Sequence, residues 1–229
     1  MVAIFVALTF VCLVLTDLGV EKWQAWRVAH PGRARTRAAI MVSGLDVWCR
    51  VPEGVHLANQ HTWVKPNPTR SCGIGADALI ARAVGTVYRI ILPKVGDQVS
   101  AGQPLCRLEH NGRAVTIPSA ITGQVTAVNS RLIDQPELLS SDPYGSGWIC
   151  YLNPTPVQEP APSLRFGEQA ARWLENEFVR FREFISAQSS PDLALGVTSQ
   201  DGGFPAVGCL GELDPTAWSA FEADFLHRP

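Results

Sequence analysis

Lysine is nearly absent: among 229 residues it stands only at Lys22, Lys65 and Lys94, and the formal net charge is −2. So weak a positive field offers little to a polyphosphate backbone, which sets DNA and RNA aside as partners. Closely spaced cysteines are absent as well. Cys12, Cys49, Cys72, Cys106, Cys150 and Cys209 contain no C-x-x-C pair, so neither a disulfide framework nor a zinc-ribbon spacing is read from them. Scattered thiols fit a reducing compartment. His56, His61, Cys72, Cys106 and His110 likewise lack structural-zinc spacing, and read as buried thiols and surface imidazoles. Gly202-Gly203 lacks the lysine and helix start of a phosphate loop and reads as a turn.

What the chain does have begins at its first residue. Met1 to Thr16 holds no charged side chain, and continued through Val20 it makes a helix of about 30 Å, enough to span a bilayer. It lacks the basic n-region and the small-x-small site of a cleaved signal peptide. Lys22, Arg27, Arg33, Arg35 and Arg37 all follow the apolar run. The positive-inside rule therefore predicts a single-pass protein of the bacterial inner (cytoplasmic) membrane, N-terminus outside and soluble part in the cytoplasm. Trp23 and Trp26 fall at the interfacial layer, where they are read as anchors or packing residues. Asp17, at the hydrocarbon edge, is either an interfacial carboxylate or a contact to another membrane subunit.

The expected organisation is a transmembrane helix over 1–22, a basic linker over 23–45, a β-rich domain over 46–154, a proline-rich spacer over 155–165 and a tail over 166–229. Within the domain, Thr86–Leu92 reads as the strongest strand and 123–128 as another. Asn111-Gly112 lies between two strand-like runs, the dipeptide most strongly tied to a two-residue hairpin. In the tail, Leu174, Phe178, Phe181 and Ile185 recur at helical spacing with Trp173 beside them. That helix is expected either to pack on its own domain or to dock on a partner through Trp173, Phe178 and Phe181. Leu193–Thr198 and Ala206–Leu210 are expected to pair as a hairpin, and Asp214-Pro215 to start a last helix as N-cap and N1.

Several landmarks occur in a specific order. His61-Thr62-Trp63-Val64 is similar to a His-Glu-Trp-Val strand, Leu92-Pro93-Lys94-Val95-Gly96 to Leu-Pro-x-Val-Gly, and Pro118 to Val125 to a Ser-Pro-x-Ser-Gly-x-Val run. Pro136-Glu137-Leu138-Leu139 and Gly147-Trp148-Ile149 are similar to Asn-Pro-x-Leu and Gly-Trp-Leu. In this order they resemble the H protein of the glycine cleavage system, over roughly the middle hundred residues. The resemblance implies a barrel-sandwich hybrid of the biotinyl/lipoyl class for that stretch and leaves both ends unexplained. With the apolar run before it and the tail after it, the expected fold is mainly β with peripheral helices, one N-terminal transmembrane helix and a C-terminal α/β appendage.

Counting back from Gly123 without a gap, the family's Glu-Ser-Val-Lys falls on Glu109-His110-Asn111-Gly112. Gly112 then occupies the lipoyl-lysine position, and the resemblance implies a domain without its cofactor. Arg113 cannot replace the lysine, because a guanidinium stays protonated and forms no lipoyl amide. Glu109, His110 and Arg113 bring no nucleophile with them, so the tip reads as a solvated turn with no catalytic role. The expectation is a non-catalytic subunit that scaffolds a bacterial respiratory or photosynthetic membrane complex, touching other membrane subunits and the bilayer. The alternative is an adaptor that binds lipoate-handling enzymes or a small ligand through the retained surface.

Overall fold

The computed structural model describes residues 45–68, 70–110, 112–155, 163–188 and 204–227. The expected membrane segment, with Asp17, Trp23 and Trp26, lies outside them, as do most of the spacer and Leu193–Thr198. No helix among the described residues is long and apolar enough to cross a membrane.

Two antiparallel sheets form the centre. Their strands are β1 (His56–Leu57), β2 (Thr62–Pro66), β3 (Cys72–Ala76), β4 (Arg89–Ile91), β5 (Gln98–Val99), β6 (Pro104–His110), β7 (Arg113–Pro118), β8 (Gly123–Val128), β9 (Cys150–Pro154) and β10 (Arg165–Phe166). The larger sheet has seven strands in the order β10-β1-β2-β3-β9-β8-β5, and the smaller has three in the order β4-β6-β7. Alternation places Leu57, Val64, Ile74 and Leu152 of the larger sheet in one core with Leu108, Val115 and Ile117 of the smaller. Thr62 ties the sheets together, its buried hydroxyl donating to the Pro118 carbonyl at 2.9 Å.

β2 and β3 explain why the chain is glycine-rich here. Trp63 lies opposite Gly75 in the register, is 2% exposed, and donates its indole N–H to the Pro143 carbonyl at 3.0 Å. A Cβ at Gly75 would stand 2.6 Å from the Trp63 ring. Gly75→Ala is therefore expected to lose on the order of 1–3 kcal/mol through overpacking. A urea midpoint equal to that of the parent protein would refute this account of the ring's seat.

Helix α1 (Ala78–Val84) is capped by Asp77, which accepts from the Ile80 amide at 3.1 Å. All but one of its residues are buried, the pattern of a helix enclosed on every side. Two short helices, α2 (Arg131–Asp134) and α3 (Leu138–Ser141), follow. Helix α4 (Gly167–Gln188) buries Ala170, Leu174, Glu177, Phe178, Phe181 and Ile185. Phe178 and Phe181 pack on Trp48, with centroids 5.5 and 5.9 Å away. The expected aromatic stripe is thus consumed inside the chain.

Two expectations change. The strand expected over Thr86–Leu92 extends only over Arg89–Ile91, because the chain bends at Thr86 and Tyr88 ahead of it. Ala206–Leu210 forms no strand: Gly208 turns in the left-handed region at φ 84° and leads into a 3-10 helix, Cys209–Glu212. Beyond α4 the described residues 204–227 carry one bridge residue, Pro205, then turns and helix, ending in α5 (Pro215–Phe221) and a π-helical turn, Glu222–Leu226. Asp214 does cap α5, accepting from the Ala217 amide at 2.8 Å, with Pro215 at its start.

Candidate functional site

Two arrangements gather the polar side chains. The first begins with His61, held at φ 58°, a left-handed conformation uncommon outside glycine. The turn is secured by its own amide, which donates to Ala58, and by its carbonyl, which accepts from the Asp77 amide at 2.9 Å. The imidazole is fully buried. Its Nδ1 lies 2.7 Å from Asp77 Oδ2, while Asp77 Oδ1 caps α1. Nε2 faces Glu177 of α4 at 3.4 Å, an ion-pair distance without hydrogen-bond alignment. Glu177 in turn pairs with Arg180, and Arg180 donates to the Asp224 carbonyl at 3.2 Å. Trp173 covers the ring with its centroid 4.9 Å away.

Burial alone would depress the His61 pKa, but the charge and hydrogen bond of Asp77, joined by Glu177, outweigh it and raise the value to about 9. The ring is therefore an imidazolium at neutral pH. Glu177 is raised by burial and lowered more by His61 and Arg180, ending below the usual carboxylate range. The relay runs from the fully buried His61 to the partly exposed Arg180. It fastens α4 to the strands and to α1.

The second arrangement is the hairpin tip. His110 and Arg113 pair across a two-residue loop, and Gly112 takes φ 75°. The tip is not simply solvated, because the segment 204–227 lies along its flank. Arg113 donates to the Leu213 carbonyl, and at 3.4 Å to that of Gly211. Its guanidinium sits 5.7 Å from the Trp218 ring. His110, 8% exposed, stacks on Trp218 at 6.2 Å and contacts the Thr86 carbonyl through Nδ1. A Cβ on Gly211 would come 2.6 Å from His110 Nε2, so glycine is what allows the approach.

The same segment closes a sheet edge. β7 is the last strand of its sheet, and at residues 114 and 116 its backbone groups point away from β6. The Ala114 carbonyl accepts from Trp218 Nε1 at 2.8 Å, and the Thr116 amide donates to Glu222 Oε1 at 2.9 Å. Side chains thereby satisfy groups that another strand would otherwise pair with. Gly112 itself stays open, with nothing within 4 Å of the Cβ it lacks. A surface hollow of about 430 Å³ opens beside it.

Of the residues singled out from sequence, Trp173 lies tilted against His61 and receives Arg165 at 5.0 Å, while Phe178 and Phe181 are core. His56, His61, Cys72, Cys106 and His110 are spread over the strands, and no cluster of three metal-ligating side chains occurs among the described residues. The imidazoles of His61 and His110 are buried where surface positions were expected. Burial pushes the Cys150 and Cys209 thiols up to about 12, which makes them unreactive. Sequence reasoning missed the pairing of His61 with Asp77 and Glu177. Its one sign in the sequence is Asp77 ahead of the apolar run Ala78-Leu79-Ile80.

The family model "Glycine cleavage H-protein" matches residues 55–177. The chain belongs to the glycine cleavage H-protein family. It is similar to the probable glycine cleavage system H protein of Thermococcus gammatolerans, 32% identical over 127 residues, 56% of this chain and 94% of that protein. It is also similar to the glycine cleavage system H protein of Shewanella denitrificans, 37% identical over 109 residues, 48% of this chain and 84% of that protein. A crystal structure of the H protein from Mycobacterium marinum is 27% identical, with a TM-score of 0.47, covering 54% of this chain and 98% of that one. The H-protein match ends at Glu177, so the segment 204–227 that covers the hairpin lies outside it.

Proposed function

We propose that this chain is a non-catalytic, unlipoylated H-protein-like module, carried at the bacterial cytoplasmic membrane by its first residues as a structural subunit. The observation that carries the reading is the hairpin tip. It bears glycine where the family resemblance implies the modified lysine, and the chain's own segment 204–227 takes up one flank of it. A carrier arm needs an amine to attach to, and a glycine offers none. The apolar run from Met1 and the arginines after it support anchoring with the domain in the cytoplasm. A respiratory or photosynthetic energy-converting complex is the setting in which such a subunit would sit among other membrane subunits.

Two measurements test the reading. Intact mass of the full chain purified from its native membranes is expected to equal the sequence mass, and a lipoyl-sized addition would sink the proposal. Extraction in mild detergent is expected to bring further membrane chains with it; a monodisperse lone protein of about 25 kDa would count against a subunit. The hollow beside the tip favours a second reading, an adaptor that binds lipoate-handling enzymes or a small ligand through this surface.

A further inference from the structure

The three-stranded sheet has an inner and an outer face. Ile90, Leu108 and Val115 point inward and are buried. The register sets Arg89 opposite Glu109 and Ile91 opposite Arg107, so these four share the outer face. The side chains of Arg89 and Arg107 are 73% and 55% exposed, and Ile91 and Tyr88 stand out beside them at 42% and 67%.

The charges on this face do not balance. Glu109 lies 3.9 Å from Arg89 and 3.4 Å from Arg107, one carboxylate between two guanidinium groups. Arg113 adds a third positive charge at the rim. Its partners there, the Gly211 and Leu213 carbonyls and the Trp218 ring, hold it in place without carrying a compensating net charge. Tyr88, Arg89, Arg107, Glu109, Gly112 and Arg113 line the hollow. Among the residues that line the hollow, three guanidinium groups meet one carboxylate, an excess of two, while Glu222 stands outside that lining at the β7 edge, on the Thr116 amide.

We propose that this outer face binds an extended acidic segment of a partner protein, its carboxylates meeting Arg89, Arg107 and Arg113 and its apolar side chains resting on Tyr88 and Ile91. Arginine and tyrosine are the side chains most enriched where protein partners bind tightly. A concave hollow with an aromatic wall suits a protruding carboxylate better than it suits the plane of a bilayer. The inference rests on the structural-subunit reading above and names the chemistry of a partner that meets this face.

The probe is a fluorescein-labelled (Glu-Ala)5 peptide, titrated against the full chain in mild detergent, with (Gln-Ala)5 as the uncharged control. Binding is expected for the acidic peptide alone, falling steeply as salt rises from about 0.05 to about 0.5 M. R89E/R107E is expected to weaken it at least about tenfold. The basic linker is common to both proteins, so their difference isolates this face. Glu109→Gln, which removes the competing carboxylate, is expected to tighten binding several-fold, a gain that damaged folding does not produce. Equal affinity in the parent and R89E/R107E, or no response to Glu109→Gln, would overturn the proposal. So would loss of peptide binding when phosphatidylglycerol is added to the micelles, which would assign the face to lipid headgroups. These results leave the mass and co-purification tests of the subunit reading untouched, so the two can fail separately.

Discussion

Asp77→Ala is expected to lose about 3–5 kcal/mol of folding stability, the range for stranding one member of a buried ion pair. Asp77 has two duties. One oxygen caps α1 and the other holds the buried His61 imidazolium. Loss of a cap alone removes about 1 kcal/mol; the remainder comes from an imidazolium left with only the more distant Glu177. The measurement is urea unfolding followed by far-UV circular dichroism at pH 7, and a loss no larger than the cap's share would mean that His61 is neutral.

The same group sets a pH dependence. His61 has a folded pKa near 9, above its ordinary 6.5. Its contribution is therefore complete below about pH 6.5 and fades as pH rises through 9. Glu177 is depressed below its ordinary 4.5, so its contribution is complete above that value and is lost as pH falls through the lower folded value. The relay is strongest between the two limits, and its alkaline loss should be missing from Asp77→Ala.

The second large effect concerns the cover on the hairpin. Trp218 is 3% exposed, donates to the Ala114 carbonyl, stacks on His110 and lies under Arg113. Trp218→Ala is expected to remove about 3–5 kcal/mol, as for other buried aromatic truncations, and to free the β7 edge. Amide exchange at Thr116, whose N–H donates to Glu222, should then rise towards that of an open edge. Unchanged protection at Thr116 together with a stability loss below about 1 kcal/mol would mean that the segment merely rests on the hairpin.

Local chemistry made much of the fold legible. Asn111-Gly112 marked the β6–β7 turn, residues 123–128 coincide with β8, and Asp214-Pro215 starts α5 as capping rules require. The helical period found α4 through Leu174, Phe178, Phe181 and Ile185, all of them buried, yet gave no sign that Glu177 is buried with them. A glutamate on an apolar face has no explanation in the pattern of α4. The explanation is His61, more than a hundred positions earlier. The candidate site was hidden for the same reason. Nothing in Leu108–Val115 says that Trp218 and Glu222 will lie along it, because periodicity reports which face of an element is apolar, not which distant segment meets it.

That separation orders assembly in time. The tip closes across two residues, whereas the contacts covering it join positions 98, 100 and 106 apart. Closing a long loop loses chain entropy before any distant contact can offset it. The bare hairpin therefore precedes its covered form on the folding route, and during that interval the β7 edge is open to another chain.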